Sequence, residues 1–387
     1  MPSAIEYWVW LGMAFGSADA KTDEIIRSCD DLAYLLDGGC EVQLTNALRE
    51  RLHSVKLDDA KRIVDNMEKC GIDILTPDDE RYPDRLRNIF AQPVVLYVDG
   101  ELGDIDTELT IAMVGAREYS NYGYAAANKI ATELSSAGAI IVSGMAKGID
   151  TVCHTAAVKC GMRTVAVLGC GIDKTYPMQN KTLRELISKN GAVVTEFAPG
   201  TPPLSRNFPV RNRIISGLSM GVVVVEAGEY SGSLITANVA LEQGKDVFAV
   251  PNDIFTTEAR GTFKLLRQGA IPVSCGMDVL EEYRFRFAKN LRLENLENAE
   301  DKQKPVYEKA TLQQVQLPIK KPLPVPEGLS QQAAQVCGAL GEVPVQMEEI
   351  SEKLQMPIRE VLTALTELEI IGIVSAQSGK RYRRIDG

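Results

Sequence analysis

The chain has 387 residues, of which 45% are hydrophobic and 24% charged, and this composition excludes collagen-like, disordered and disulfide-rich scaffolds. The length predicts two or three domains, each able to bury a core of its own. The formal net charge of −10 excludes a uniformly basic coat, so a polyanion would have to bind at a local basic site.

Metal-binding and membrane signals are missing from the sequence. The eight cysteines include no C-x-x-C pair, and the only histidines are His53 and His154, so zinc spacing is absent and we expect no metal or cofactor. The apolar stretch 5–15 contains Glu6, has no basic flank and is too short to cross a bilayer. We therefore expect a protein of the reducing cytoplasm without a membrane anchor.

The predicted secondary structure changes within the first hundred or so residues of the chain. Residues 1–75 have the spacing of short amphipathic helices, with turn signals at Gly38-Gly39 and Gly71 and no alternating strand pattern. Residues 76–108 contain three X-Pro pairs and the strand-like run VVLYV at 94–98. The sequence predicts a helical domain at 1–75 and an extended connector at 76–108.

Residues 109–290 alternate apolar runs with helix-length segments. Runs that are apolar throughout are typical of strands buried on both faces, and their spacing predicts a Rossmann-like α/β fold with a doubly wound parallel sheet. The six runs are LTIAMVG at 109, AIIVSG at 139, TVAVLG at 164, AVVTE at 192, GVVVVEAG at 221 and DVFAVP at 246.

The last hundred residues form a linker and a small domain. Residues 291–327 are charged and include KPLPVP, which is typical of an extended linker. In residues 328–387, three helical patterns precede a strand, a Ser-Gly turn and a basic strand. That order predicts a winged helix.

The ligand crevice of an open parallel sheet lies beyond the carboxyl ends of its strands, so the residues that follow each strand are the candidates for binding. They offer backbone N–H groups near helix starts, an arrangement that holds phosphate. The candidates are Gly115, Ala116 and Arg117 after the first predicted strand, Ser143, Gly144 and Lys147 after the second, and Ser231, Gly232 and Ser233 after the fifth.

A basic segment follows the fourth predicted strand. Residues 197–220 contain Arg206, Arg211 and Arg213 and no acid, and with Arg117 these arginines predict a funnel for a polyanion. Aromatic residues available for stacking on bases are Phe208, Tyr119 and Tyr122. An alternative remains open, in which the arginines pair with Glu196 and Glu226 and only tie loops together.

No catalytic residue is predicted. Gly169-x-Gly171 lies on the third predicted strand and has Lys174 where a dinucleotide fingerprint needs its third glycine, and a P-loop is absent. His154 follows GIDT on a helix, where a packed or capping histidine is commoner than a catalytic one.

The ordered motifs resemble the bacterial DNA processing protein A (DprA/Smf) family over essentially the whole chain. They include YPDRLRNIFAQPVVLYVDG, VGAREYSNYG, SGMAKGID, TVAVLGCGIDKTYPMQN, FPVRNRIISGLS and VVVVEAGEYSGSLITANVALEQGKDVFAVP. Two departures from the family pattern, Asn252 and Phe263, stand where a glycine and an asparagine are usual.

The resemblance implies a non-enzymatic protein that binds single-stranded DNA, protects incoming strands in natural transformation and helps load the RecA recombinase. It also implies dimerisation through the sheet domain, DNA contacts at Gly115, Ala116 and Arg117, and a helical module of the sterile-alpha-motif or helix-hairpin-helix type at residues 1–75. Secondary contacts are expected from Lys181 and from the basic wing, namely Lys380, Arg381, Arg383 and Arg384. For the wing, contact with DNA and contact with protein remain equally open.

Nucleotide phosphoribohydrolases with the same sheet topology are the alternative. Their phosphate-binding loop carries a glutamate, whereas Val239 stands at the corresponding position three residues after Thr236. The sequence therefore keeps a loop that can hold phosphate and lacks that carboxylate, with Glu226 as the one acid near enough in sequence to replace it.

Overall fold

The computed structural model describes residues 2–17, 20–29, 32–36, 45–294, 329–340, 345–377 and 381–384. The predicted linker from residue 295 onward and Lys380 lie outside these ranges. The chain divides into two compact units, Met1–Gln303 and Lys304–Gly387. No helix in the described ranges is long and apolar enough to span a membrane.

The first unit begins with helices that pack directly against the sheet. Trp8 Nε1 donates to Asp78 Oδ2 at 2.9 Å, and the Asp23 carboxylate accepts from the backbone N–H groups of Ala91 and Gln92. Trp10 is fully buried in a core shared with residues of the sheet. The helices are α1 (Ala4–Phe15), α2 (Ala20–Ser28), α3 (Ala33–Leu36), α4 (Asn46–Ser54) and α5 (Leu57–Cys70).

All six predicted strands are confirmed, and they pair in parallel with one another. Three further short strands bring the sheet to nine, in the order β1-β2-β6-β5-β4-β3-β7-β8-β9. The strands are β1 (Asp73–Leu75), β2 (Leu96–Gly100), β3 (Thr110–Val114), β4 (Ile140–Ser143), β5 (Thr164–Val167), β6 (Ala192–Thr195), β7 (Gly221–Val224), β8 (Asp246–Ala249) and β9 (Ile271–Pro272).

The predicted boundaries at 75 and 108 both fall inside the first compact unit. Strand β1 ends the predicted helical domain and β2 lies in the predicted connector, yet β2 pairs antiparallel with β6 and β1 pairs antiparallel with β2. The run at 94–98 is buried because it covers the sheet edge that β6 would otherwise expose. The sheet is consequently parallel across its centre and antiparallel at one edge.

Helices cover both faces of the sheet and bury two apolar layers against it. This arrangement confirms the doubly wound α/β class. The helices of this part are α6 (Asp84–Arg87), α7 (Asn121–Ser136), α8 (Ile149–Lys159), α9 (Lys181–Asn190), α10 (Asn207–Gly217), α11 (Gly232–Glu242), α12 (Arg260–Arg267) and α13 (Gly276–Tyr283).

The second unit has the predicted winged-helix order and a core of its own. Strand β12 lies between β10 and β11 in its small antiparallel sheet. The elements are α14 (Gln331–Ala339), β10 (Val345–Gln346), α15 (Met347–Leu354), α16 (Ile358–Ile370), β11 (Val374–Gln377) and β12 (Arg381–Arg384).

The cysteines of the described ranges do not form a cluster with ligand geometry. Among the described residues six cysteines are free thiols, while Cys29 is disulfide-bonded. Within the described ranges, no group of three His, Cys, Asp or Glu side chains is placed to hold a metal ion.

Because each unit has a separate core, we expect residues 1–303 to fold without residues 304–387. In differential scanning calorimetry the shortened chain should show one cooperative transition that coincides with a transition of the full chain. Loss of that transition, with an unchanged far-ultraviolet circular dichroism signal per residue, would show that the second unit completes the first core.

Candidate functional site

A crevice of about 790 Å³ opens at the carboxyl ends of β3, β4 and β7. From β3 the chain proceeds through β4, β5 and β6 in one direction, and it then returns to β7 on the other side of β3. The crevice therefore lies at the switch point of the sheet, where open α/β folds bind ligands.

Arg117 follows β3 and is exposed on the crevice wall. Its Cζ lies 5.5 Å from the centroid of the Phe208 ring, and the Tyr176 ring lies 5.6 Å from Phe208 on the same wall. Within the described ranges the Arg117 guanidinium has no ion-pair partner. The wall thus combines an available cation with two aromatic rings.

Glu226 fixes the turn that carries Arg117 through hydrogen bonds. Both carboxylate oxygens of Glu226 accept from Ser120, one from its backbone N–H at 2.9 Å and one from its hydroxyl at 2.7 Å. The Glu226 backbone oxygen accepts from Ala116 N–H at 2.8 Å. Glu226 is fully buried and does not line the crevice, so it orders the turn and does not face a ligand.

The start of α11 also lines the crevice. The Ser231 hydroxyl caps the helix by accepting from Ser233 N–H, and Ser231, Gly232, Ser233 and Thr236 all line the crevice. A helix start with exposed N–H groups and hydroxyls attracts phosphate oxygens. The predicted phosphate loop therefore lines the same crevice as Arg117.

Arg211 lies at the floor of the crevice and is almost fully buried. Its Nη1 donates to the backbone oxygens of Gly144, at 2.7 Å, and of Val167, so part of its hydrogen-bonding capacity supports the sheet edge. Burial lowers the pKa of Arg211 to about 10, although neighbouring Asp150 opposes the shift. The side chain stays charged at neutral pH.

Arg213, predicted to contact DNA, does not line the crevice and is paired inside the protein. Its guanidinium forms two bonds of 2.6 Å to Glu196 and donates to the Ala91 backbone oxygen at 3.0 Å. Both side chains are buried away from the crevice. For this arginine, the alternative of an internal tie to Glu196 is the correct one.

Other predicted residues lie outside the crevice lining. Ser143 is buried and donates to Met113 O at 2.6 Å, and Gly144 is buried beside the Arg211 guanidinium. Lys147 is exposed and lies 3.6 Å from Glu118. Arg206 and Lys181 are exposed and do not line the crevice. In the second unit, Arg381 and Arg383 are exposed and Arg384 is half-buried.

The lining is mixed in charge, whereas the sequence predicted a basic funnel. Arg117 and Arg211 share the crevice with Arg260, which lies 4.0 Å from Glu229. Burial raises the pKa of Asp150, and Arg211 partly offsets this effect. The lining acids are Glu118, Asp150, Glu229 and Glu258.

The stacking residues also differ from the prediction. Tyr119 packs against Tyr124, and Tyr122 donates to Pro251 O at 2.6 Å, so neither lines the crevice. Tyr176 and Tyr230 line it instead, and Tyr230 is 94% exposed. Sequence reasoning missed both, although each lies in a loop that follows a predicted strand.

His154 is a packed residue, as its position suggested. It is fully buried, and Nδ1 lies 2.8 Å from the Thr164 hydroxyl. Burial lowers the pKa of His154 to about 3, so it is neutral at physiological pH. It is absent from the crevice lining.

The fold is that of a Rossmann-like α/β protein, and its switch-point crevice combines an exposed arginine and a helix start with two aromatic rings. A family model described as DNA recombination-mediator protein A matches residues 73–284, and a DprA winged helix domain matches residues 320–380. The chain belongs to the DprA family.

Similar proteins cover much of the chain. Protein Smf of Escherichia coli is 36% identical over 82% of this chain and 79% of its own length. DNA processing protein DprA of Streptococcus pneumoniae is 44% identical over 54% of this chain and 73% of its own length.

Two solved structures are similar in fold. The X-ray structure of Streptococcus pneumoniae DprA has a TM-score of 0.63 at 33% identity, covering 73% of this chain and 99% of its own. A Helicobacter pylori DprA structure, described for its single-stranded DNA binding mode, has a TM-score of 0.51 at 28% identity and covers 57% of this chain and 97% of its own.

We expect Arg213→Ala to destabilise the protein by about 3 to 5 kcal/mol, because it leaves the buried Glu196 carboxylate without its partner. Arg206→Ala is the matched control, since this exposed arginine of the same segment should change stability by less than about 0.5 kcal/mol. Urea unfolding measures both. Equal midpoints for the two variants would contradict the structural role of the ion pair.

Proposed function

We propose that the crevice binds single-stranded DNA and that the protein acts as a recombination mediator without catalysis. The observation that carries the proposal is the Arg117 guanidinium, which is exposed over the Phe208 ring and has no ion pair among the described residues. Membership of the DNA recombination-mediator family supports the ligand class.

The crevice offers contacts for both chemical parts of a nucleotide. Arg117 and the N–H groups at the start of α11 bind backbone phosphates, and the faces of Phe208 and Tyr176 accept a base. An unpaired base exposes its π-face, whereas a base in a duplex is stacked between its neighbours. Stacking in the crevice therefore favours single strands.

The finer parts of the proposal come from family resemblance. In this proposal the bound strand is protected and handed to the RecA recombinase, in the cytoplasm, by a homodimer formed through the sheet unit. The exposed Arg381 and Arg383 on β12 supply a secondary contact. The family resemblance supports the handover and the dimer, and the exposed cations of the wing support the secondary contact.

We expect Arg117→Ala to weaken single-strand binding at least about tenfold, because a charge-assisted bond to phosphate is worth about 1.5 to 3 kcal/mol. The slope of log affinity against log salt should become shallower by about 0.7 for each phosphate that the variant no longer neutralises. Fluorescence anisotropy with a labelled oligonucleotide measures both effects.

Arg62→Ala removes the same charge from an exposed position of α5 and should leave the affinity nearly unchanged. Arg117→Lys separates charge from planarity, and we expect only partial recovery of binding because the ammonium lacks a stacking face. Wild-type affinity for Arg117→Ala, with its fold intact, would exclude this crevice as the binding site.

A nucleotide hydrolase remains the second candidate because the structure places Asp150, a buried carboxylate with a raised pKa, in the lining. Asp150, at the start of α8, faces Arg211, and no nucleophile paired with a base lines the crevice in the described ranges. The better choice for a control is thus Asp150, since Glu226 does not reach the crevice.

We expect no release of free base from AMP or CMP, because a positioned acid, base and nucleophile are all needed for turnover. Chromatography of incubated nucleotide is the measurement, and Asp150→Asn is the control. Turnover by the wild-type protein that Asp150→Asn abolishes would replace the binding proposal with a hydrolase.

A further inference from the structure

A second group of cations lies at the amino ends of the parallel strands, on the side of the sheet away from the crevice. Lys245 immediately precedes β8, and Arg284 to Lys289 directly follow α13. Lys245 and Arg286 line one cavity of about 500 Å³, together with Tyr283 and the start of β8. This cavity is at the amino ends of the parallel strands, so it is separate from the crevice at their carboxyl ends.

The segment after α13 is attached to the sheet unit. Phe287 is buried in the apolar layer on one face of the sheet, Arg292 N–H donates to Ala137 O at 2.9 Å, and the Asn290 side chain donates to Thr107 O at 3.2 Å. Its backbone is therefore held in place. The side chains of Arg284, Phe285, Arg286 and Lys289 remain exposed.

The acids that line this cavity already have partners. Asp106 lies 3.4 Å from Arg85, Asp246 accepts from the Tyr283 hydroxyl at 2.6 Å, and Asp84 pairs with Arg87. Among the described residues, exposed Glu281 and Glu282 on α13 make no ion pair with the segment.

The cations at this edge are available to a ligand. Within the described ranges Lys245, Arg284, Arg286 and Lys289 have no ion-pair partner. Burial and the positive charges of Arg85 and Arg286 lower the pKa of Lys245, and Asp106 offsets only part of this effect. Because a bound anion would relieve this repulsion, the edge is suited to a polyanion.

An aromatic face accompanies these charges. Phe285 is 83% exposed, and Arg284 Cζ lies 4.6 Å from its ring centroid. Cations interleaved with an exposed ring are the combination that holds single-stranded nucleic acid through phosphates and stacked bases. An acidic protein segment would use the charges and leave the ring without a role.

We propose that Lys245, Arg284, Phe285, Arg286 and Lys289 form a second contact surface for single-stranded DNA, here called the amino-edge surface. The inference rests on the proposed function because it takes single-stranded DNA as the ligand. It goes beyond that function by adding a second binding site. Phe285 and the residues after it lie outside both matched family models, which end at residue 284 and begin at residue 320. Strands of about 5 nucleotides occupy the crevice alone, and strands of about 30 nucleotides engage both sites.

The test compares a thymidine oligonucleotide of about 5 nucleotides with one of about 30 on the full chain, a range that spans known site sizes. The triple variant Arg284→Ala, Arg286→Ala, Lys289→Ala should bind the long strand at least about tenfold more weakly, with a salt slope smaller by about 2. Its affinity for the short strand should stay within about twofold of the wild type.

Two controls separate the surface from net charge and from the crevice. The variant Lys61→Ala, Lys69→Ala, Lys189→Ala removes three exposed charges elsewhere and should leave long-strand binding within about twofold. Arg117→Ala should weaken both strands. Phe285→Ala should weaken binding of the long strand only. Phe90 is also exposed, at 73%, and Phe90→Ala should change the affinity for neither strand.

The outcomes decide between the two proposals. If the triple variant binds the long strand as the lysine control does, the amino-edge surface is refuted while the crevice stands. If the triple variant loses short-strand binding equally, the amino-edge surface is refuted as a separate second site, and Arg117→Ala then tests the crevice on its own. If the wild type binds neither strand, the proposed function itself fails. Loss confined to the long strand in both the triple variant and Phe285→Ala supports the surface.

Discussion

The position of the turn that carries Arg117 depends on the fully buried carboxylate of Glu226. Glu226 accepts two hydrogen bonds from Ser120, at the start of α7, and a third from Asn252 at 3.4 Å. A side chain at Gly123 would collide with Glu226, so glycine is required where α7 approaches the carboxylate. The turn is thereby fixed before any ligand arrives, which lowers the entropy lost on binding.

Gly148 fixes the same turn from its other side. Its φ of 101° belongs to the left-handed region, and a Cβ there would meet the backbone of Ala116 and Arg117. The approach brings the start of α8 against the turn, where Ile149 N–H donates to Ala116 O at 3.1 Å. Together Glu226 and Gly148 hold the Arg117 backbone and leave its side chain free to project over Phe208.

Much of the fold follows from the sequence because strands buried on both faces need continuous apolar runs, and all six such runs are strands. β1 escaped prediction because three residues are too few to show a period. The arginines show the limit for the site. Arg211 and Arg213 are two residues apart on α10, yet only tertiary packing decides that one reaches the crevice and the other Glu196. The composition of the segment gives both arginines the same weight as candidates for the crevice.

The mixed charge of the crevice bears on how an acidic protein selects its ligand. Four acids line the crevice with three arginines, so long-range attraction to any polyanion is weak there and salt screens it further. Under the proposed function, selection then depends on contacts made within the crevice. In that proposal a phosphate reaches Arg117 and the start of α11 while a base covers Phe208. A duplex presents phosphates without a free base, so it satisfies only half of these contacts.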